Sequence, residues 1–278
     1  MVLPLPLIKL LKIANQPNFK AKMLKKIVKK IIGESNVYYL RDKWSAQKNT
    51  VAKKKRVDFY SQFISKDDLC FDVGANYGNR IEALLELGCR IVAIEPQHEC
   101  CKFLKKKYGS SIEIINKGLG EKEGSLEFYK SDASTLSTFS KDWIEAVQQS
   151  GRFRQHHWEK KTIVDMTTLD NLIRLYGLPQ FVKIDVEGYE LEVLKGLSSP
   201  VRFISFEYAV PEQIEKIAGC IQHIQSLAPG KKAECNYSVG ESMAWTHNSW
   251  LPCADMIDLI HTAEFIDTGF GDIYVRTI

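Results

Sequence analysis

The sequence has no apolar run close to the ~20 residues that a membrane-spanning helix needs. It has no internal repeat, no low-complexity tract and no C-x-x-C pair. Two prolines interrupt its apolar first eight residues, and no small-residue cleavage site follows, so we expect no secretory signal. What remains is the composition of a globular protein, with 45% hydrophobic and 26% charged residues among 278.

The cysteines do not form the pattern of a disulfide framework. There are seven, an odd number, and Cys70 and Cys89 lie in apolar surroundings that are typical of buried thiols. Free thiols persist in reducing compartments. We therefore expect a cytoplasmic protein.

Charge is distributed unevenly along the chain. Residues 1–56 contain fifteen Lys or Arg and two acidic residues, whereas the remainder has a charge of −9 and the whole chain +4. We divide the chain into a basic amphipathic arm, 1–56, and a domain, 57–278. Residues 7–32 could lie as a helix on the anionic inner face of a membrane, or pack on the domain. No aromatic stacking platform accompanies the basic run at 53–56, so we expect no nucleic-acid partner.

The domain is organised around the strand, turn and helix that follow residue 69. An apolar run ends in Asp72, within a strand predicted at 69–73. Gly74 and Gly78 follow, and a helical pattern begins at Ile81. This order is typical of the first unit of a doubly wound α/β domain. Glycines in such a turn can take positive φ and let a ligand approach the backbone. The alternative is a turn that only packs the strand on the helix.

The next strand, 90–95, suggests the class of cofactor. It ends in Glu95, followed by Pro96, and an acid at this position accepts hydrogen bonds from a ribose diol. Dinucleotide binders require G-x-G-x-x-G, but Asn76 replaces the middle glycine here. Asp72 would repel a pyrophosphate and suits the amine and sulfonium of S-adenosylmethionine. We therefore predict a class I methyltransferase site.

Alternating strands and helices continue to the end of the chain. They predict an α/β, Rossmann-like class I methyltransferase fold with a mostly parallel seven-stranded sheet and helices on both faces. The last strand, 273–276, is expected at an antiparallel edge. An insertion at about 131–160 interrupts the pattern and is interpreted as a lid or substrate wall. Its candidate acceptor-binding side chains are Ser134, Thr135, Arg152, His156, His157 and Trp158.

A second group of acids follows the strand at 181–184. Asp185 should face the transferred methyl group, as a general base, an anchor for a substrate hydroxyl, or a ligand of Mg²⁺. Glu207, near the end of the next strand, is expected over the same pocket. Glu187 and Glu190 could instead cap the following helix. His156 is a further candidate base.

These residues together resemble the FkbM-type methyltransferase family. The most specific match is Lys183-Ile184-Asp185-Val186-Glu187-Gly188, and the other matching segments are 71–79, 93–96, 167–170 and 193–196. The resemblance covers roughly residues 57–210. It implies a methyltransferase that acts on hydroxyl oxygens, often of polyketides, sugars or glycans.

We accordingly expect O-methylation of a hydroxyl on a saccharide, a glycolipid or a secondary metabolite. The alternative is a non-catalytic cofactor-binding or membrane-associated scaffold with the same fold. No resident metal is expected, although Mg²⁺ remains an option for Asp185. The expected catalytic residues are Asp185, Glu207 and His156, and the expected cofactor-binding residues are Asp72, Gly74, Asn76, Gly78, Glu95 and Pro96.

Overall fold

The computed structural model describes residues 34–278, so the helix predicted at 7–32 lies outside the described residues. The strands are β1 (Leu69–Val73), β2 (Arg90–Ile94), β3 (Glu113–Ile115), β4 (Gly118–Leu119), β5 (Gly124–Lys130), β6 (Lys160–Thr167), β7 (Phe181–Ile184), β8 (Phe203–Ala209), β9 (Ala233–Val239), β10 (Leu251–Pro252) and β11 (Phe270–Thr277). The α-helices are α1 (Glu34–Tyr60), α2 (Ile81–Glu86), α3 (His98–Tyr108), α4 (Lys141–Ser150), α5 (Leu169–Tyr176), α6 (Glu190–Lys195), α7 (Ile214–Ser226), α8 (Cys253–Leu259) and α9 (Ala263–Ile266).

The main sheet has the order β10-β9-β11-β8-β7-β1-β2-β3 among the described residues. Neighbouring strands from β8 to β3 are parallel, and β11 is antiparallel to both β8 and β9. The predicted fold class is correct, but the sheet has eight strands and not seven, because β10 adds a two-residue strand beside β9.

The position of the last strand was predicted wrongly. β11 lies between β8 and β9 and not at an edge. Its residues Ile273, Tyr274 and Val275 are fully buried although they alternate between the two faces of the sheet. A strand buried on both faces belongs inside a covered sheet, and this apolar run is the signal that indicates it.

The core lies on both faces of the main sheet. Along β1, Phe71 and Val73 belong to one buried cluster, while Cys70 belongs to the cluster on the other face. This explains why all five residues of β1 are buried and why the strand, apart from Asp72, is apolar and does not alternate. The edge of the sheet at which its parallel strands end is therefore formed by strands that are packed on both faces.

A second, three-stranded sheet has the order β4-β6-β5. β5 and β6 pair antiparallel, so residues 131–159 form an excursion between two paired strands. This excursion contains a 3₁₀ turn, Ser134–Leu136, and helix α4.

The N-terminal helix is longer than predicted. By sequence alone, residues 57–64 predict a short helix that follows the basic run at 53–56. In the structure, α1 is instead continuous through the basic run and ends at Tyr60. Phe59 and Tyr60 are buried in the core, which fixes the end of α1 to the domain. The division at residue 56 remains a prediction. None of the helices in residues 34–278 combines the length and apolarity needed to cross a membrane.

Candidate active site

The turn after β1 lies directly against the end of β7. Gly74 has φ +81°, and a Cβ added there would lie 1.8 Å from the carbonyl oxygen of Asp185. Only glycine fits this approach, since real atoms cannot come so close and L residues rarely adopt that φ. The parallel pairing of β1 with β7 thus brings the first turn and Asp185 to one edge of the sheet.

Glu95 connects the first turn with the end of β2. Its Oε2 accepts a hydrogen bond from the backbone N–H of Asn76 at 2.8 Å, and its Oε1 accepts one from Gln97 N–H at 2.7 Å. Asn76 has φ +45° in this turn. Burial raises the pKa of Glu95 to about 7, although these two hydrogen bonds favour the ionised form. The carboxylate is therefore held rigidly at the edge of the cleft.

Asp72 provides the test of cofactor fit. The residue is 3% exposed, and its Oδ2 is buried without a hydrogen-bond partner in the part of the chain that the structure describes. Burial raises its pKa to about 6, while Lys183 and Arg80 oppose that rise. A buried carboxylate oxygen without a donor is costly, and a ligand ammonium would supply the donor. The amino group of S-adenosylmethionine fits Asp72, and its ribose hydroxyls fit Glu95.

A cleft of about 190 Å³ contains most of the residues predicted for the site. Its lining includes the predicted residues Asp72, Gly74, Asn76, Glu95, Pro96, Asp185 and Glu207. Lys117, Leu119 and Phe139 complete parts of the wall. The first turn, the end of β2 and the ends of β7 and β8 therefore share one space.

Two predicted site residues lie outside this cleft lining. At Gly78 an added Cβ would come within 2.9 Å of Leu104 and 3.1 Å of Tyr108, so its glycine serves the packing of the turn against α3. His156 Nδ1 lies 2.8 Å from Asp132 Oδ1, within the excursion.

Some of the side chains suggested for acceptor binding line the cleft, and others form contacts elsewhere. Ser134 and Thr135 line the cleft. Arg152 instead forms an ion pair with Glu212 at 3.0 Å, and Trp158 Nε1–H donates to the Leu136 carbonyl at 2.6 Å. Trp158 therefore fixes the excursion internally, and Arg152 ties it to Glu212 in the segment after β8. Ser134, Thr135 and Ser137 are the hydroxyl residues of the excursion that line the cleft.

Three acids form a cluster above β7 and β8. One carboxylate oxygen each from Asp185, Glu187 and Glu207 lies within 4.8 Å of the others, and all three residues are half-buried. Burial, followed by the charge of Asp185, raises the pKa of Glu187 and of Glu207 well above the usual range. Such a cluster can share a proton or coordinate a hard cation such as Mg²⁺. Among the described residues, these are the ones that could hold a metal.

Glu190 has a different role from its neighbour Glu187. Its Oε1 accepts hydrogen bonds from the backbone N–H groups of Val186 and Gly188, both at 3.1 Å. It therefore fixes the turn between β7 and α6. These bonds go to residues before α6, which has no side-chain cap among the described residues, whereas the capping interpretation placed Glu190 on the helix itself. Glu187, with φ +55°, contributes its carboxylate to the acidic cluster instead.

A buried ion-pair network lies beneath the cluster and reaches Asp185. Its other members have no role in the sequence analysis. Lys183 is 1% exposed, and its Nζ donates to Asp272 at 2.7 Å and to Asp185 Oδ2 at 3.4 Å. Burial alone would lower the pKa of Lys183, but Asp185 and Asp272 raise it above the usual range. Arg80 lies 3.6 Å from Asp272 and donates two hydrogen bonds to Glu241. A lysine inside an apolar strand was the available signal; no local signal identifies Asp272 or Glu241.

Comparison with known proteins supports the same assignment. The family model described as methyltransferase FkbM domain matches residues 72–239, more than half of the chain. A hexuronic acid methyltransferase, AglP, of Haloferax volcanii is 27% identical over 146 residues, 51% of this chain and 54% of that protein. The chain thus spans about half the length of this curated relative.

Solved methyltransferase structures also superpose on the chain. A precorrin-6y C5,15-methyltransferase of Geobacter metallireducens has a TM-score of 0.38 at 13% identity, covering 80% of this chain and 86% of that one. A TehB-like SAM-dependent methyltransferase of Corynebacterium glutamicum has a TM-score of 0.42 at 7% identity, covering 88% of this chain and 98% of that one.

The prediction of an S-adenosylmethionine-dependent methyltransferase is confirmed at the level of enzyme class and cofactor. The observations agree on this point: the strand order, the unpartnered Asp72 oxygen, the buried Glu95 and the extent of the family match. The chain belongs to the FkbM methyltransferase family.

Proposed function

We propose that this protein methylates a hydroxyl oxygen of a saccharide. The observation that carries the proposal is the position of Asp185, whose half-buried carboxylate lines the same cleft as Asp72 and Glu95. The name of the Haloferax relative, a hexuronic acid methyltransferase, supports a sugar acceptor. The hydroxyls of Ser134 and Thr135 on the cleft wall suit a ligand rich in hydroxyl groups.

The chemistry requires alignment more than activation of the donor. Bound S-adenosylmethionine supplies an activated methyl group on a sulfonium. Asp72 binds the amine and Glu95 the ribose, and together they fix the donor in the cleft. Asp185 would accept a hydrogen bond from the acceptor hydroxyl, orient its oxygen toward the donor, and take its proton. The methyl group would pass from sulfur to that oxygen, and the donor would leave as the neutral thioether S-adenosylhomocysteine. Lys183, 3.4 Å from Asp185 Oδ2, holds that carboxylate in place.

Replacing Asp185 by asparagine tests this role. Asp185→Asn removes the proton acceptor and keeps the shape, so turnover should fall by about 10²–10⁴-fold, the usual contribution of a general base. Affinity for S-adenosylhomocysteine should remain within about twofold, because the cofactor is held by Asp72 and Glu95. Transfer of labelled methyl to a panel of cell-envelope glycans and small hydroxylated metabolites measures turnover, and calorimetry measures the affinity.

The matched control is Asp255→Asn, the same change at an exposed position on α8. Full activity of Asp185→Asn on the identified acceptor would refute the catalytic assignment. Chelation separates the roles of Asp185: direct proton transfer survives EDTA, whereas activity lost with EDTA and restored by Mg²⁺ would assign the acidic cluster to a cation.

A further inference from the structure

A second cavity, of about 370 Å³, adjoins the cofactor cleft. Asn76, Asn79, Ser134 and Thr135 line both spaces, so a ligand can extend from one into the other. We call this space the α1 cavity, because Tyr38, Ala52, Lys53 and Arg56 of α1 form one of its walls. The opposite wall includes Tyr77, Gly78, Glu82, Phe103 and Lys107.

Aromatic packing holds α1 against the turn that follows β1. The rings of Tyr38 and Tyr77 stack with their centroids 3.8 Å apart and their planes 19° from parallel. Tyr77 in turn packs edge-on against Phe103 of α3, at 5.1 Å between centroids. The α1 cavity is thus enclosed by a helix that is fixed to the same turn that holds Asn76 against Glu95.

The α1 cavity has an excess of positive charge. Its lining contains Lys53, Arg56 and Lys107 but one acid, Glu82, among the described residues. Glu82 already lies 2.6 Å from Lys107. Lys53 pairs with Glu86, which is not among the lining residues, at 2.5 Å. Lys107 and Lys53 thus already have close acidic partners, and Arg56, 3.4 Å from Glu241, is the most weakly paired cation of the wall and the group through which an anion could bind.

Arg56 has fewer acceptors than its guanidinium needs. Glu241 is bound by two nitrogens of Arg80 at 2.6 and 3.0 Å, and Arg56 Nη2 reaches the same carboxylate at 3.4 Å. Arg56 Nε–H is buried and meets no acceptor among the groups that the structure describes. A guanidinium carries five N–H donors, and a planar oxyanion satisfies two of them at once. Arg56 is therefore the strongest anion-binding group of this wall.

We propose that the α1 cavity binds a carboxylate or phosphate group of the acceptor, so that the substrate is an anionic saccharide. This inference rests on the proposed function and narrows its substrate class. The cavity volume falls within the range of about 300–1,000 Å³ that is usual for small-molecule sites. It exceeds what the single carboxylate of the cofactor requires. The aromatic rings of Tyr77 and Phe103, beside the hydroxyls of Ser134 and Thr135, provide surfaces for a sugar ring.

The test compares Arg56→Gln with Lys54→Gln. Lys54 lies on the same helix, is exposed, and pairs with Asp58, so its replacement removes the same charge outside the α1 cavity. The substrates are a uronate-containing glycan and its carboxyl-reduced, neutral equivalent. Arg56→Gln should raise the KM of the uronate glycan about tenfold, as expected for loss of one charged hydrogen bond. The KM of the neutral glycan and the affinity for S-adenosylhomocysteine should not change, and Lys54→Gln should behave like the unmodified protein.

A binding measurement decides the inference independently of turnover. Glucuronate and inorganic phosphate are titrated separately into the protein saturated with S-adenosylhomocysteine. Binding of glucuronate alone assigns a carboxylate and binding of phosphate alone a phosphate group, and in either case Arg56→Gln should weaken it about tenfold. Binding of neither probe, or equal binding by Arg56→Gln, would overturn the inference. Weaker S-adenosylhomocysteine binding by Arg56→Gln would assign the cavity to the cofactor carboxylate and would also overturn it.

The two proposals fail separately. If no saccharide accepts labelled methyl, the proposed function is wrong, while the titrations still determine whether the α1 cavity binds anions. If Arg56→Gln unfolds the protein, Lys53→Gln on the same wall replaces it, with the same expected weakening of probe binding and with Lys54→Gln again as the control.

Discussion

Asp72 and Glu95 are buried acids whose ionisation matters for the ligand. Burial raises the pKa of Asp72 to about 6 and that of Glu95 to about 7. In the proposed site, both carboxylates would accept hydrogen bonds from the cofactor, and an ionised carboxylate accepts more strongly than a protonated one. Ligand binding and proton binding at these two residues are therefore opposed.

We predict that affinity for S-adenosylhomocysteine falls as the pH decreases from 8 to 5. Each acid that must lose a proton to bind the ligand can contribute up to about tenfold per pH unit below its pKa. Glu95→Gln should bind more weakly at pH 8 and lose the part of the pH dependence near 7, leaving the part near 6. Calorimetry at several pH values measures this, with Asp255→Asn as the control; a flat profile would contradict the prediction.

The stability of the ligand-free protein should change with pH in the opposite direction to the affinity for the ligand. A carboxyl group whose pKa is raised by folding contributes stability that is fully present below its ordinary pKa, and that stability is lost as the pH rises through the folded pKa. For Asp72 and Glu95 this window extends from about 4 to about 7. Ionisation of these two groups thus lowers the unfolding free energy of the ligand-free protein at neutral pH, and a bound cation beside them would restore part of it.

At the scale of elements, the close approach of the first turn to β7 is the contact on which the cleft depends. Gly74→Ala should be severely destabilising, because its Cβ would collide with the Asp185 carbonyl and its φ of +81° is strained for alanine. Gly230→Ala is the matched control, with φ +80° and nothing within 4 Å of the added Cβ. The control substitution should lower the unfolding free energy by about 1–2 kcal/mol, which is the effect of backbone strain alone.

Urea denaturation of both variants measures the difference in unfolding free energy. Gly74→Ala should lose clearly more stability than Gly230→Ala, and it should also fail to bind S-adenosylhomocysteine. Equal losses in the two variants would mean that the turn can move away from β7, and that the observed approach is not required.

Local sequence patterns predicted the parts of the site that are local in the chain. Asp72, Gly74 and Glu95 follow apolar strands directly, and the carboxyl ends of parallel strands necessarily meet at one edge. Lys183 and Asp272, in contrast, are 89 residues apart, and Arg80 and Glu241 are 161 apart. Such pairs depend on how β7, β11 and the chain after β9 come together, which no periodicity in a single sequence specifies.

Two site predictions were drawn from weaker signals than the others. Gly78 was assigned from its place in a glycine motif, although a glycine is also required where a turn packs against a helix, as it does against Leu104 here. His156 was assigned from its residue type, but Asp132 within the same excursion is its partner. Motif position and residue type do not distinguish packing from ligand contact, because both use the same residues.

At the scale of the whole molecule, residues 7–32 carry the prediction of membrane contact. They contain eight lysines and no acid. Each lysine near an anionic surface contributes about 1 kcal/mol of attraction. The full chain should therefore float with vesicles that contain phosphatidylserine but not with neutral vesicles.

A chain that lacks residues 1–33 should lose this flotation and keep its affinity for S-adenosylhomocysteine, since α1 and both cavities remain. Sucrose-gradient flotation at low and physiological salt is the measurement. Equal flotation of the two chains would reject the membrane interpretation and favour an arm that packs on the domain.

The excursion between β5 and β6 has a consequence for how such enzymes diversify. Lys130 and Lys160 are paired residues of adjacent strands, so the two ends of the excursion meet. It supplies Ser134 and Thr135 to both cavities but contributes no strand to the main sheet. A segment whose two ends lie on paired neighbouring residues can be replaced by another of different length without changing the register of β5 and β6. We expect exchange of this segment to alter the wall that both cavities share, while Asp72, Glu95 and Asp185 keep their places at the strand ends of the main sheet.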